Sequence, residues 1–263
     1  MAVFDAVAPT FDRYRALPDG VPDAIRSAVL AAIAATSRPR LLDLGAGTGR
    51  IGWPFVLAKD DYVGVDLSLG MLREFVGRAA SRHGHRPRLV QSDGQLLPFR
   101  DGTFDAILLI QVFAGLTDWR RFVAEAKRVL RAAGTVCVGR SVAPEDGLDA
   151  RMKRRAKAIL EEMGVHLDRM NAREDALRCL EAGSRSRARI VAATWTAART
   201  PRRFLDRHRT GARFSALAEP VRDEALRRLE AWAVAAFGTL DAVVAEPSAF
   251  ELQVFKFGED GRA

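Results

Sequence analysis

At 263 residues the chain can bury a sizeable core as one large domain or one domain with a cap, and 48% hydrophobic with 28% charged residues is ordinary soluble composition. The formal charge of +8 comes from arginine and reads either as a compositional habit or as a field that attracts an acidic partner; it says nothing of fold. Two cysteines, Cys137 and Cys179, without CxxC or Cys/His spacing, exclude a disulfide framework or a structural zinc site and fit a reducing cytosol. Taking the elements in order, Met1 to Asp5 lacks the basic start and apolar core of a signal peptide. Residues 4–17 interleave Phe11, Arg13, Tyr14 and Arg15 at helical spacing, the mark of a solvated helix face packed on a core. Val21 to Thr36 is an amphipathic helix that Pro39 prevents from continuing. Leu41, Leu42 and Leu44 suit a buried parallel strand, and glycines 45, 47 and 49 then force a tight turn with a helix from Gly49 or Arg50. Ile51 to Ala58 is the first crossover helix. Tyr62 to Asp66 is the next strand, and Leu69 to Ser81 the next helix, with Ser68 as N-cap. Arg88–Gln91 is a third strand and Phe104–Ile110 a fourth. A helix from Asp118-Trp119 through Arg131, ended by Gly134, leads to a fifth strand, Thr135–Gly139. Residues 142–185 are helical and highly charged, with a basic run over 151–157. Arg189–Thr196 returns to strand, Thr200-Pro201 starts a helix, Glu219–Phe237 is strongly amphipathic, and Ser248–Phe257 suits a final antiparallel edge strand. No apolar run reaches the roughly 20 residues that span a bilayer, so the expectation is a cytoplasmic protein without a membrane partner.

The chemistry gathers at two places. Gly45-Ala46-Gly47-Thr48-Gly49 follows one strand, and Asp66 closes the next. Glycines let the backbone lie flat against a ligand, and a carboxylate at a strand end accepts hydrogen bonds from both ribose hydroxyls. Together they read as a nucleoside-cofactor site at the carboxyl ends of parallel strands. A dinucleotide fingerprint wants its third glycine three residues after the second, and that position is Arg50. GxGxG by itself also occurs in ordinary strand-to-helix turns. Further on, Asp93 follows Leu89-Val90, then come Leu97-Pro98-Phe99, Gly102-Thr103-Phe104-Asp105 and Ala106 to Ile110.

This succession resembles the class I S-adenosylmethionine (SAM)-dependent methyltransferases of the small-molecule, type 11-like group, over residues 11–140. The resemblance implies an α/β fold: a doubly wound, mostly parallel seven-stranded Rossmann-like sheet with a helical cap inserted after the fifth strand. Beyond residue 140 the resemblance is thin, and position and length suggest the rest: a SAM-binding core (1–141), a cap insertion (142–186) and C-terminal strands and helices that complete the sheet and roof the cleft (187–263). The resemblance also implies SAM as cofactor, S-adenosylhomocysteine as product and no metal. Phe11 and Arg15 match an N-terminal helix that closes over SAM, where an Arg fork suits the methionyl carboxylate. Leu67 and Met71 fall where relatives line the adenine slot, although Met71 at helical spacing reads equally as core. Asp93 suits the adenine amino group and the Gly94 amide a ring nitrogen, the plain alternative being a turn-forming Asp-Gly.

Methyl transfer is an in-line displacement in which the protein aligns acceptor and methyl; a base is needed only for a poorly nucleophilic acceptor. Relatives often carry histidines where this chain has Gln111 and Gly115, and Gln cannot take a proton at neutral pH. Gln111, which also borders the cofactor, His166 and His208 are therefore the candidate catalytic residues, each histidine with structural or solvated as its plain reading. His83 and His85 lie in a Gly-rich loop away from the cleft. The fourth strand lacks the loop of many nucleobase amino-methyltransferases, and neither cysteine lies in a Pro-Cys context. The leading function is methylation of a small-molecule acceptor. A nucleic-acid methyltransferase, which rests on charge, and a SAM-binding protein with other chemistry are the alternatives. Arg199, Arg202, Arg203 and His208 near a helix start, if not a solvated basic face, make an anionic acceptor the expectation, and the protein is a monomer or homodimer.

Overall fold

The computed structural model describes residues 4–5, 8–33, 38–80, 86–113, 116, 118–165, 172–209, 214 and 217–258. Alternating strands and helices build the first half: α1 (Ala8–Arg15), α2 (Val21–Ala32), β1 (Arg40–Leu44), α3 (Trp53–Leu57), β2 (Asp61–Asp66), α4 (Leu69–Ala80), β3 (Arg88–Gln91) and β4 (Phe104–Ile110). Then come α5 (Trp119–Val129), β5 (Leu130–Val142), α6 (Leu148–Glu162), α7 (Ala172–Ala182), β6 (Ser186–Arg199), α8 (Pro201–Arg209), α9 (Glu219–Phe237) and β7 (Val244–Lys256).

The strands form one seven-stranded sheet in the order β3-β2-β1-β4-β5-β7-β6. β1 pairs in parallel with both β2 and β4, so the chain reverses its direction of travel across the sheet between these two neighbours. That reversal opens a crevice beyond the carboxyl ends of β1 and β4, where an α/β sheet takes its ligands. β7 runs antiparallel to β5 and β6. Ser248–Phe257 was expected at the edge; instead β7 is internal and β6 is the edge, because Phe250, Leu252, Val254 and Phe255 are all buried and require cover on both sides.

Apolar spacing sets the layers. Ile25 and Val29 of α2, Phe55 of α3 and Phe75 of α4 are fully buried against one face of the sheet, each worth roughly 1.5–3 kcal/mol of transfer free energy. Phe122, Val123 and Ala126 of α5 cover the other face together with Ala176, Leu177 and Leu180 of α7. A third core, separate from both, joins Met152 and Ile159 of α6, Phe204 and Leu205 of α8, and Leu226 and Leu229 of α9. Within the 142–186 span, therefore, α6 belongs to this cap while α7 lies on the sheet.

Local chemistry fixes the element ends. Ser68 Oγ accepts from the Met71 amide at 3.2 Å and Asp118 Oδ1 from the Arg121 amide at 3.1 Å, the two N-caps of α4 and α5. The first crossover helix begins at Trp53 rather than Gly49–Ile51, because Gly49 is held at φ 76 and the turn through Gly52 must finish first. Helix α5 stops at Val129 rather than Arg131, since Leu130 is already extended (φ −76, ψ 139); Gly134 thus lies inside β5. No helix among the described residues is long and apolar enough to cross a membrane.

Candidate active site

The glycine turn lies at the carboxyl end of β1, and each glycine has its own reason. A Cβ on Gly45 (φ 94) would sit 2.8 Å from Val112, and one on Gly49 (φ 76) 2.2 Å from the fully buried Phe75. Gly47 (φ 56) differs: a Cβ there would meet nothing within 4 Å, so its backbone faces open space. Asp66 at the end of β2 ties this turn down, accepting from the Gly47 amide and the Ser68 amide, both at 2.8 Å. Burial pushes the Asp66 carboxyl above its ordinary range, and the two amides work against that shift. Beyond β2 and β3, Leu67 and Leu96 are 57% and 68% exposed, two apolar walls without cover. Asp93 accepts from the Gln95 amide at 2.8 Å, and Gly94 backs onto Phe122, where a Cβ would sit 2.4 Å away. Met71, by contrast, is buried at 3% exposure and is a core residue in this conformation.

The N-terminal segment closes one side. Asp5 Oδ1 accepts from Ser68 Oγ at 2.5 Å and the Gly70 amide at 3.0 Å. Asp12 accepts from Thr48 Oγ1 in the glycine turn at 2.6 Å and also binds Arg78. Arg15 stacks its guanidinium 4.4 Å over the Phe11 ring and donates to the Arg207 carbonyl of α8 at 3.1 Å. Its other terminal nitrogen, Nη1, is buried without a hydrogen-bond partner. Burial lowers the Arg15 pKa, and the neighbouring Arg207 lowers it further.

The end of β4 forms the floor. Gln111 has φ 54, a left-handed conformation that a glutamine adopts only at a cost, and such strain collects at functional sites. Its amide donates to the Gly139 carbonyl at 3.0 Å, and its Nε2 donates to Ser141 Oγ at 3.1 Å. Its Oε1 accepts from Arg50, which also donates to the Arg15 carbonyl. Burial pulls Arg50 down to about 10, so it stays a cation at neutral pH. Gln111 is thereby held between the glycine turn and β5.

Not every expected residue reaches this place. His208 belongs to the cap, stacked on Phe204 with ring centroids 3.8 Å apart and with Nδ1 2.8 Å from the Phe204 carbonyl. Burial, with Arg207 nearby, pulls it to about 4. His166, His83, His85 and Gly115 lie outside the described residues. Arg202 and Arg203 were expected to charge the pocket; both are exposed, and Arg202 is spent on Asp241 at 2.6 and 2.7 Å. Arg199 faces inward but is matched by Asp149 and Ser248 at 2.8 and 2.9 Å and by Glu246 at 3.3 Å. Sequence reasoning missed Asp5, Asp12, Thr48, Arg50 and Ser141. Asp12 and Arg50 were legible as immediate neighbours of Phe11 and Gly49; Ser141 carries no local signal.

The residues fit a SAM-type nucleoside. An open glycine backbone adjoins a buried carboxylate, uncovered leucines flank an Asp-Gly turn, and Arg15, on the helix whose Asp12 binds the glycine turn, has a buried guanidinium nitrogen with no hydrogen-bond partner among the described residues. No cluster of potential metal ligands occurs among the described residues. Sheet order and site together define a Rossmann-like methyltransferase fold. Residues 42–138 match the methyltransferase domain family. A demethylmenaquinone methyltransferase of Renibacterium salmoninarum is 34% identical over 149 residues, 56% of this chain and 60% of that protein. The chain thus spans less than two thirds of the relatives it matches. A putative methyltransferase structure from Bacillus halodurans superposes with a TM-score of 0.57 at 17% identity, covering 92% of this chain and 100% of that one. The [4+2]-cyclase SpnF superposes with a TM-score of 0.55 at 18% identity, covering 97% and 94%. At these identities the structures show a shared fold alone.

Proposed function

We propose that this chain transfers a methyl group from SAM to a small-molecule acceptor, releasing S-adenosylhomocysteine. The observation that carries the reading is the Gly47–Asp66 cradle at the switch point between β1 and β4. When bound there, SAM supplies a methyl activated on a sulfonium. The turn over Gly45–Gly49 offers bare backbone to it, Asp66 accepts from its ribose hydroxyls, and Leu67 and Leu96 sandwich its adenine beside Asp93 and Gly94. Arg15 turns its unpartnered nitrogen to the methionyl carboxylate, with Phe11 packed beneath the guanidinium. Gln111, fixed by Arg50 and Ser141, orients the acceptor but takes no proton, so the acceptor must arrive already nucleophilic. In this reading residues 1–141 hold the cofactor, and α6, α8 and α9 roof the acceptor and exclude water in a cytoplasmic enzyme. A demethylmenaquinone-type compound is the first acceptor to try. The family match ends at residue 138, before the cap, so the cap decides the acceptor independently of that likeness.

Isothermal titration with S-adenosylhomocysteine and NAD tests the cofactor; binding of NAD alone would overturn it. Asp66→Ala should weaken S-adenosylhomocysteine by about 2 kcal/mol or more, because a charge-assisted pair is lost. A second reading, SAM binding without methyl transfer, is favoured by the non-basic Gln111 at the end of β4. Release of S-adenosylhomocysteine in the presence of an acceptor separates the two. Nucleic-acid methylation is not favoured: in the basic run of α6, Arg155 pairs with Glu162 at 2.7 Å and Lys157 with Glu161 at 3.3 Å, while Arg151 stacks 4.5 Å over Phe237.

A further inference from the structure

At the amino-terminal ends of β1 and β2, opposite the glycine turn, two adjoining cavities of about 440 and 520 Å³ share Arg38, Lys59, Asp60 and Asp61. Both aspartates are already matched. Asp60 takes the fork of Arg26 at 2.6 and 2.9 Å, and Asp61 is bracketed by Arg40 at 3.1 Å and by Arg88. Arg38, Lys59 and Arg86 are left without a carboxylate partner among the described residues. They come from three segments: the turn before β1, the α3–β2 turn and the approach to β3. Arg38 spends one nitrogen on the Lys59 carbonyl, 3.1 Å away, which ties two of the three together.

Lys59 adds an independent sign. It has φ 60, directly after the last turn of α3, where a helix end favours glycine. Glycine would hold this backbone at lower cost, and the chain places a cation here instead. Convergent cations with free donors suit a tetrahedral oxyanion, whose several acceptor oxygens can bridge segments that one carboxylate cannot. Leu30, Ile33, Pro39 and Pro87 add apolar wall around the charges, giving room for more than a bare ion.

We propose that this recess is a second ligand site, which binds a phosphate-bearing small anion through Arg38, Lys59 and Arg86, on the far side of the sheet from the cofactor crevice. The site is independent of the methyltransferase reading. Titration calorimetry of the full chain with inorganic pyrophosphate and with glycerol 3-phosphate, at ionic strength held constant by KCl, tests it. Saturable 1:1 binding of either probe is expected; the tighter of the two tells whether a free or an esterified phosphate is preferred. Lys59→Gly and Arg86→Gln should each weaken binding tenfold or more. Arg100→Gln, which removes the same charge from the exposed surface elsewhere, should change it less than twofold. Lys59→Gly should also melt no lower than the wild type, because glycine relieves the left-handed backbone. Absence of saturable binding, an equal loss in Arg100→Gln, undiminished affinity in Lys59→Gly, or binding of an RNA oligonucleotide with none of either probe would overturn the proposal.

Discussion

Asp43, in the middle of β1 behind the glycine turn, should make this protein lose stability as the pH rises through neutrality. It is 2% exposed, and its Oδ2 accepts from the Tyr62 hydroxyl at 2.7 Å while Oδ1 has no hydrogen-bond partner. Burial raises its pKa from 3.8 to about 7; the Tyr62 hydrogen bond opposes that shift and the charge of Asp66 adds to it. The folded state therefore holds a proton that the unfolded chain has already released between pH 4 and 7. Stability falls across that window as the unfolded state gains from ionising, and the full loss is present above the folded pKa. The slope is about 1.4 kcal/mol per unit between the two pKa values and halves near pH 7, so the loss is about 2 kcal/mol from pH 5 to pH 7 and about 3 kcal/mol by pH 8. Asp43→Asn keeps the shape and an acceptor for Tyr62 but has no proton to lose. Urea unfolding at pH 5 and pH 8 should show the wild type falling by about 3 kcal/mol relative to the variant, whatever their difference at either single pH. If the two fall in parallel, Asp43 is ionised in the native state across this range, and the account of its burial is wrong.

Gly49→Ala should be severely destabilising, by about 3 kcal/mol or more in urea unfolding, since its Cβ would lie 2.2 Å from Phe75 on a left-handed backbone. His208, held near 4 by burial, should produce an acid-side loss: stability is intact above the ordinary value of 6.5 and declines as pH falls toward 4, by up to about 3 kcal/mol. His208→Gln should remove this loss, so that the variant's melting temperature gains on the wild type's as pH falls from 7 to 4.5. Gln111→Gly should gain roughly 1 kcal/mol in thermal unfolding by relieving φ 54, yet lower methyl transfer with cofactor affinity changed less than threefold; undiminished turnover would remove Gln111 from the acceptor side.

How legible the site is depends on sequence distance. Gly45 to Gly49 and Asp66 lie 17 to 21 residues apart, and local rules place them together: a strand, a glycine turn, a crossover helix, a strand ending in an acid. The strands Arg88–Gln91 and Phe104–Ile110 follow from apolar runs alone. What the rules do not reach is partner choice across the fold. Nothing near Arg202 announces Asp241, which neutralises it, or near Arg199 announces Asp149 and Glu246. The internal place of β7 has the same origin. Its apolar content marks a buried strand, but only pairing with β6 along its whole length makes it internal. The left-handed turn at Gln111 is invisible for a different reason: sequence propensity predicts low-energy backbone, and strained positions are where that logic fails.

These distant pairings also make the two halves one object. Asp5 grips the start of α4, Asp12 grips the glycine turn, and Arg15 reaches the carbonyl of Arg207 in α8. Arg207 binds Asp149 at the start of α6 at 2.7 Å, and Arg199 binds the same carboxylate. Glu246, at the foot of β7, accepts from the Leu148 amide at 2.5 Å and so caps α6 with a buried side chain. Burial tends to raise the Asp149 pKa, but the flanking arginines prevail and hold it below the usual carboxylate range, so the junction is charged at neutral pH. A polar path thus runs from the glycine turn through α1 to the first residues of α6. Removing one partner from such a path leaves the other charge buried and unmatched, which is far more damaging than losing a surface pair. The arrangement ties the cap's position to the closure of α1 over the glycine turn. On the proposed reading, the helices that would enclose an acceptor are thereby set by the segment that would hold the methyl donor.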